Sequence, residues 1–580
     1  MALKIALAQI RIKKGKIANN LNQIEEVCLK AYEDHADVLM LPSMCLCGYG
    51  LGDDWYEREL VAELSQYNEY LKSLSTTVSI VWGNVLIQNG DLCDGLFCAK
   101  EGEIIFERTK KIIEPRSIYQ EERYFKCHNE PIQTFEINGQ KLVLLALEEL
   151  FNDAVVEETM QLEPDQLLVL GHKYWTKDNE KTVDERILEL SKRYLIPTIN
   201  YVNSVGMQNI GKSIVMNDGK SAVYEDGVRV LTLGDNFFSD YSLNTNRDHQ
   251  VKPNRFKLLT CLEMMIKYFD EEVLPKDTKW IIGLSGGLDS SINAALMKLA
   301  LGSDKIIAYN LASEHNSAET KENATNLAKA LKIELRNGAI SDIYQASLKT
   351  IGDYGYDAEP NTLVKENIQA RIRGHLLASF AQIENGVIIN NGNKVEIALG
   401  YATLYGDTIG VASPLGDLLK TELFELALNI NTYYNEEIIP ERLLPKIENG
   451  EIVWDMAPSA ELRDNQFDPM KWYYHDLLID YIMNKDHTII DLLKMYLDGT
   501  IFETELGKWL KYYHLDDGVL FIEDLEWITR QMKLATFKRL QMPPILVTSD
   551  HGFSGLKIES QGMLEESKTY KELKAQILAR

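Results

Sequence analysis

For its 580 residues the chain is short of basic side chains, with 61 Lys and Arg against 87 Asp and Glu and a net charge of −26. That balance argues against a general nucleic-acid or membrane-surface binder, and any anionic substrate must be met by local positive groups. No apolar run approaches the length of a membrane span. The opening residues 1–10 are interrupted by Lys4 and read as a first strand, not as a signal peptide, so the expected compartment is the cytoplasm. Cysteines are scarce: Cys28, Cys45, Cys47, Cys93, Cys98, Cys127 and Cys261 are odd in number and scattered without metal-ligand spacing. They read as reduced core thiols.

What is present is 45% hydrophobic content, ample for two packed cores. The most informative stretch is the apolar run 281–284, which breaks into Ser285-Gly286-Gly287-Leu288-Asp289-Ser290-Ser291 and then into a helical pattern. A buried strand, a glycine turn and a helix N-terminus aim backbone N–H groups and the positive end of the helix dipole at one point, which suits a pyrophosphate. Ser285, Ser290 and Ser291 add hydroxyls, the glycines admit phosphate oxygens, and Asp289 offers a ligand to the Mg²⁺ that nucleotide phosphates carry. The stretch has no Gly-Lys-Ser/Thr and is not a Walker loop. It resembles the pyrophosphate loop of the N-type ATP pyrophosphatases, which adenylate a substrate oxygen and release pyrophosphate.

Residues 1–241 alternate strands, expected at 4–10, 38–41, 78–81, 142–147, 166–170 and 198–202, with helices at 20–34 and 183–194. The runs 36–42, Glu121-Glu122-Arg123-Tyr124-Phe125 and 199–208 resemble the nitrilase-type amidase domain that supplies ammonia in glutamine-dependent NAD synthetases. That chemistry needs a Glu base, a Lys on the oxyanion and a Cys nucleophile. Here Ser43 stands where the resemblance places the Glu, Lys110 falls at the lysine, and Leu147 replaces the cysteine. Lys110 alone reads as a surface or loop lysine, and Cys45 and Cys47 lie on a different loop from the lost nucleophile. This half reads as a degenerate glutaminase kept as scaffold, assembly surface or ammonia entry.

Residues 242–255 are polar and serve as the expected linker, 256–555 as the second domain and 556–580 as a charged helical tail. After the pyrophosphate loop, a strand at 305–310 and a helix at 318–331 predict a parallel βαβ unit with ligands at the strand ends. In the loop between them Ala312 and Asn316 depart from the family's usual residues, and His315 reads as solvated. In 366–377, Asn367 and Arg371 are four apart and share a helix face while Arg373 points elsewhere; Asn-x-x-x-Arg-x-Arg resembles an NAD synthetase hallmark for binding the deamido-NAD substrate. The longest match to that family is 387–407. By the resemblance Glu396 is the second magnesium ligand beside Asp289, and Asp407 contacts deamido-NAD. Asn391 and Val395 replace the usual Thr and Ser in the nucleotide-binding turn. Lys420, at a helix start where a cation opposes the dipole, makes sense if it holds phosphate charge as pyrophosphate leaves. Residues 457–468 match the family's substrate-covering loop and 537–544 its C-terminal segment.

The fold class implied is α/β, a nitrilase-like α-β-β-α sandwich followed by a Rossmann-like parallel-sheet synthetase domain. The activity implied is ATP-dependent amidation of deamido-NAD⁺ through an acyl-adenylate, giving NAD⁺, AMP and pyrophosphate, with ATP and Mg²⁺ required. Ammonia would be free or supplied by a separate glutaminase, and the resemblance implies a homodimer or higher assembly. Two other readings stay open at this point: a catalytically inactive regulator, and an amide ligase for a different carboxylate.

Overall fold

The computed structural model describes residues 3–114, 117–234, 237–249, 251, 253–313, 318–357, 361–458, 468–484, 486–555 and 557–580. His315 and most of the expected substrate-covering loop lie outside these. The chain divides into two compact units, Met1–Lys257 and Leu258–Arg580.

The first unit holds two six-stranded sheets. One runs in the order Asp240–Leu243, Ile5–Gln9, Val38–Met40, Ser79–Gln88, Asp91–Lys100, Glu103–Thr109; the other in the order Val228–Thr232, Ala222–Glu225, Thr198–Val202, Gln166–Leu170, Gln140–Ala146, Phe135–Ile137. Parallel strands at the heart of each are buried on both faces, which explains their near-continuous apolar runs. The pleat sorts the side chains. Along Gln140–Ala146, Leu142, Leu144 and Ala146 join residues of the other sheet in one core, while Val143 and Leu145 face the helices Asp153–Gln161 and Thr182–Ser191.

The expected strand at 78–81 is only the start of Ser79–Gln88, which continues through two tight turns into a three-stranded meander. Asn89-Gly90 and Glu101-Gly102 take positive φ, the hairpin geometry that Asn-Gly favours, and this signal was there to be read. The polar segment expected as a linker from 242 begins inside a strand: Leu243 pairs with Ala6, and the Asn244 side chain accepts from the Ile5 N–H.

The second unit is built on a parallel sheet in the order Glu334–Ala339, Ile306–Ala312, Lys279–Gly283, Gly386–Ile388. Strand order reverses between Lys279–Gly283 and Gly386–Ile388, and such a switch point opens a crevice at the strands' carboxyl ends. The helix expected at 366–377 is longer, Thr362–Ile383. A second core joins the short helix Lys394–Leu399 to the helices Tyr474–Met483, Ile489–Asp498, Glu505–Tyr512 and Gly518–Leu534. The C-terminal helix Lys568–Leu578 docks there too, with Ile577 buried, so the charged tail is part of this unit and not a free appendage.

Candidate active site

The crevice at the switch point is a cavity of about 380 Å³. The strand Lys279–Gly283 ends at its floor and the chain turns through Ser285-Gly286-Gly287 into the helix Leu288–Leu301. Gly286 has φ +86°, and a Cβ there would overlap the Thr320 carbonyl oxygen, so the turn needs glycine. The serines brace the turn: Ser290 and Ser291 donate to the Gly287 carbonyl at 3.1 and 2.8 Å, and the Gly287 N–H donates to Ser285 Oγ at 3.2 Å. Ser285, Gly287, Asp289 and Ser290 line the cavity; Gly286 and Ser291 do not.

Charge converges at the helix N-terminus. Lys420 Nζ lies 2.8 and 3.0 Å from the two Asp289 oxygens, and Asn393 Nδ2 donates to Asp289 Oδ2 at 3.0 Å. Asn393 is also the N-cap of Lys394–Leu399. Its Oδ1 accepts from the Val395 and Glu396 N–H groups, and Glu396 Oε2 accepts from the Asn393 N–H in return, a capping box that aims Glu396 into the cavity. Burial, with Asp289 nearby, pushes the Glu396 carboxyl well above its usual range. Burial alone would lower the Lys420 ammonium, but Asp289 and Glu396 outweigh it and hold it above its ordinary value. Two carboxyl groups, Asp289 and Glu396, thus act on Lys420. Among the described residues no three His, Cys, Asp or Glu side chains converge closely enough to hold a metal alone. Asp289 and Glu396 together suit a Mg²⁺ that brings phosphate and water ligands of its own.

The remaining expected residues divide. Arg373 and Asp407 line the cavity; Arg373 Nε donates to the Leu311 carbonyl at 2.9 Å and Asp407 accepts from the Thr403 N–H at 2.5 Å. Burial raises the Asp407 carboxyl. Asn367 and Arg371 are outside it, sharing a face as their spacing predicts: Asn367 accepts from Thr403 Oγ1 at 2.8 Å and exposed Arg371 donates to the Leu404 carbonyl at 3.3 Å. Asn391 lines the cavity, yet its amide is spent as a strut, donating to the Gly283 carbonyl at 3.0 Å and accepting from Asn293 at 2.9 Å. Val395 is fully buried in the helical core. Sequence reasoning missed Asn393, although Asn-x-x-Glu is a capping-box signal, and missed Trp472, whose ring centroid lies 5.5 Å from Lys420 Nζ.

In the first unit, Lys110 is not a surface lysine. Its side chain is fully buried, with Nζ 2.8 Å from Glu121, 3.0 Å from Glu148 and 3.7 Å from Asp94. Burial pushes the Asp94 carboxyl up to about 7, and Tyr49 donates its hydroxyl to it in a short hydrogen bond. Ser43 is buried against Gly83, where a Cβ would come within 2.8 Å of the Ser43 Cα, and Leu147 packs into the apolar cluster on the helix side of its sheet. The rings of Tyr49, Tyr119 and His172 pack together beside them, and burial pushes His172 down to about 3, so it stays neutral. Burial raises the Cys45 and Cys47 thiols far above their ordinary value, which removes the thiolate a nucleophile needs. Residues 206–213 spell Gly-x-x-x-x-Gly-Lys-Ser, but they form the antiparallel hairpin Val205–Ile210 and Ser213–Asp218, not a strand–loop–helix, so they make no phosphate cradle.

Residues 4–232 match the carbon-nitrogen hydrolase family and residues 262–498 match NAD synthase. Among curated proteins the chain is 27% identical over 519 residues to the glutamine-dependent NAD(+) synthetase of Acinetobacter baylyi, covering 87% of this chain and 92% of that one. It is 28% identical over 506 residues to that of Synechocystis sp., covering 82% and 87%. Among solved structures it is similar to a glutamine-dependent NAD(+) synthetase from Cytophaga hutchinsonii, with a TM-score of 0.77 at 15% identity over all of both chains. A second, the synthetase from Acinetobacter baumannii in complex with ADP, has a TM-score of 0.68 at 23% identity, covering 95% and 97%.

Proposed function

Since the chain joins a carbon-nitrogen hydrolase domain to an NAD synthase domain, the arrangement of the glutamine-dependent NAD⁺ synthetases, we propose that it amidates deamido-NAD⁺ at the expense of ATP, with ammonia not made by its own first domain. The observation that carries the first part is the meeting of Asp289, Glu396 and Lys420 at the N-terminus of Leu288–Leu301. A nicotinate carboxylate oxygen attacks the α-phosphorus of ATP; the bond to the β-phosphate oxygen breaks and pyrophosphate leaves. Charge grows on the departing oxygens, where the turn's N–H groups and the Lys420 ammonium stand ready to stabilise it. Mg²⁺ held by Asp289 and Glu396 would supply further charge neutralisation on the phosphates. Arg373 and Asp407, which also line the cavity, orient the acid. Ammonia then attacks the acyl-adenylate, and AMP departs with the former carboxylate oxygen.

The second part rests on Ser43 and Leu147. Neither a hydroxyl whose Oγ is 3.5 Å from the Leu170 carbonyl nor an alkyl chain can replace a Glu base and a thiolate. Ammonia therefore comes free from solution or from a partner glutaminase, in the cytoplasm and in a homodimer or larger assembly as the resemblance implies. An inactive regulator is disfavoured because Asp289, Glu396, Asp407 and Lys420 are all kept. The test is isotopic. Deamido-NAD⁺ labelled with ¹⁸O in its carboxylate should pass one label to AMP in the presence of ATP, Mg²⁺ and ammonium; NAD⁺ formed without label in AMP would exclude the acyl-adenylate.

A further inference from the structure

Lys420 is the first residue of the helix Lys420–Tyr434, where the dipole repels its charge, and its long side chain could take many directions. Besides the two Asp289 oxygens, a second segment meets it. Asp476, fully buried, accepts from the Thr421 N–H at 3.1 Å through Oδ1 and from the Tyr473 N–H at 3.0 Å through Oδ2, so one carboxylate ties residues 471–473 to the turn that starts at Lys420. Within that segment the Trp472 ring lies under the Lys420 ammonium, 5.5 Å from centroid to Nζ. Trp472 is 5% exposed, and its carbonyl accepts from Tyr513 at 3.1 Å.

The segment is fixed on its far side as well. The Lys471 N–H donates to His475 Nδ1 at 3.0 Å, so the imidazole carries its proton on Nε2, which donates to Asp524 Oδ2 at 3.2 Å. Lys471 Nζ forms an ion pair with the same Asp524, on the helix Gly518–Leu534. Of these links the Trp472 ring reaches Lys420 itself, and the Asp476 carboxylate reaches the next residue, Thr421.

We infer that Trp472 and Asp476 are positioning residues that aim Lys420 at the departing pyrophosphate: Trp472 by presenting a π face to its ammonium, Asp476 by capping the turn it starts from. Asp476 adds to the Glu422 carboxylate, which accepts from the Leu419 N–H at 2.8 Å, at a first turn that begins with lysine. The inference rests on the proposed synthetase reaction for the identity of the acid, but not for the role of Lys420. A cation over a desolvated indole is worth about 0.5–2 kcal/mol, or roughly 2- to 30-fold.

The experiment uses the full chain as wild type, W472L, W472F and D476N. Titration with inorganic pyrophosphate and Mg²⁺ reads the end of the site that Lys420 serves, whichever acid is the substrate. Deamido-NAD⁺-dependent ATP–pyrophosphate exchange reads the adenylation step. W472L and D476N should weaken pyrophosphate binding and slow exchange about tenfold per folded molecule, with KM for deamido-NAD⁺ unchanged, while W472F, which keeps a π face, stays near wild type. Wild-type values in W472L and D476N would overturn the inference, as would no pyrophosphate binding by the wild-type chain. So would a loss of rate with a rise in KM in all three variants, W472F included, the mark of a merely structural role. Wild-type pyrophosphate binding without exchange on deamido-NAD⁺ would overturn the choice of acid alone, and the binding arm would still decide the role of Trp472 and Asp476.

Discussion

At the residue scale, Lys110 is held in place by its buried ion pairs. A buried ammonium beside three carboxylates cannot be removed cheaply, because its partners would be left as uncompensated buried charge, a loss of about 3–5 kcal/mol. K110M should therefore lower the urea midpoint of the full chain sharply while leaving ammonia-dependent kcat per folded molecule unchanged; a loss of kcat at unchanged stability would return Lys110 to catalysis. Asp94 gives a prediction with a sign. Its carboxyl holds a proton up to about pH 7 in the folded chain and releases it near the ordinary carboxylate value when unfolded. Between those values the folded state binds more protons, so raising the pH destabilises it by up to about 1.4 kcal/mol per pH unit. D94N lacks that slope. Its stability relative to wild type should rise from pH 4 to pH 7 and level off above, as denaturant unfolding across that range would show; a difference independent of pH would mean that Asp94 is ionised throughout.

At the scale of elements, the proposed loss of amidase chemistry turns on one strand end. Leu147 follows Gln140–Ala146 in the position whose pleat faces the helices, and it shares an apolar cluster with Val143, Leu145 and Val155. A thiol placed there is desolvated like Cys45 and Cys47, so L147C alone should give neither glutamine hydrolysis nor a glutamyl thioester detectable by mass spectrometry. A thioester in L147C would show that the lost cysteine was the sole defect. The same pleat explains what the sequence discloses and what it hides. Strand–turn–helix at 281–291 is readable because an apolar run, glycines and a helical period occur in order. The departures at Ser43 and Leu147 are readable because the runs beside them resemble the amidase pattern. The burial of Lys110 is not, since its carboxylate partners come from Glu121, Glu148 and Asp94 on three other segments. Trp472 and Asp476 escaped for the same reason: their contacts with Lys420 and Thr421 span more than 50 residues.

For the whole molecule, the proposed synthetase, with Ser43 and Leu147 where an amidase would need a base and a nucleophile, makes the nitrogen donor the central question. Relatives named glutamine-dependent match this chain over 82% and 87% of its length, so the likeness alone does not decide it. Only neutral ammonia is nucleophilic. KM expressed as total ammonium should then fall about tenfold for each unit of pH raised below the ammonium pKa. A KM independent of pH would point to capture of ammonium itself. The most direct measurement is NAD⁺ formation by the purified full chain from deamido-NAD⁺, ATP and Mg²⁺, with saturating ammonium chloride or with glutamine alone. Turnover with ammonium and none with glutamine is the predicted result; equal turnover with glutamine would contradict it and require a working glutaminase without the Glu and Cys that Ser43 and Leu147 replace.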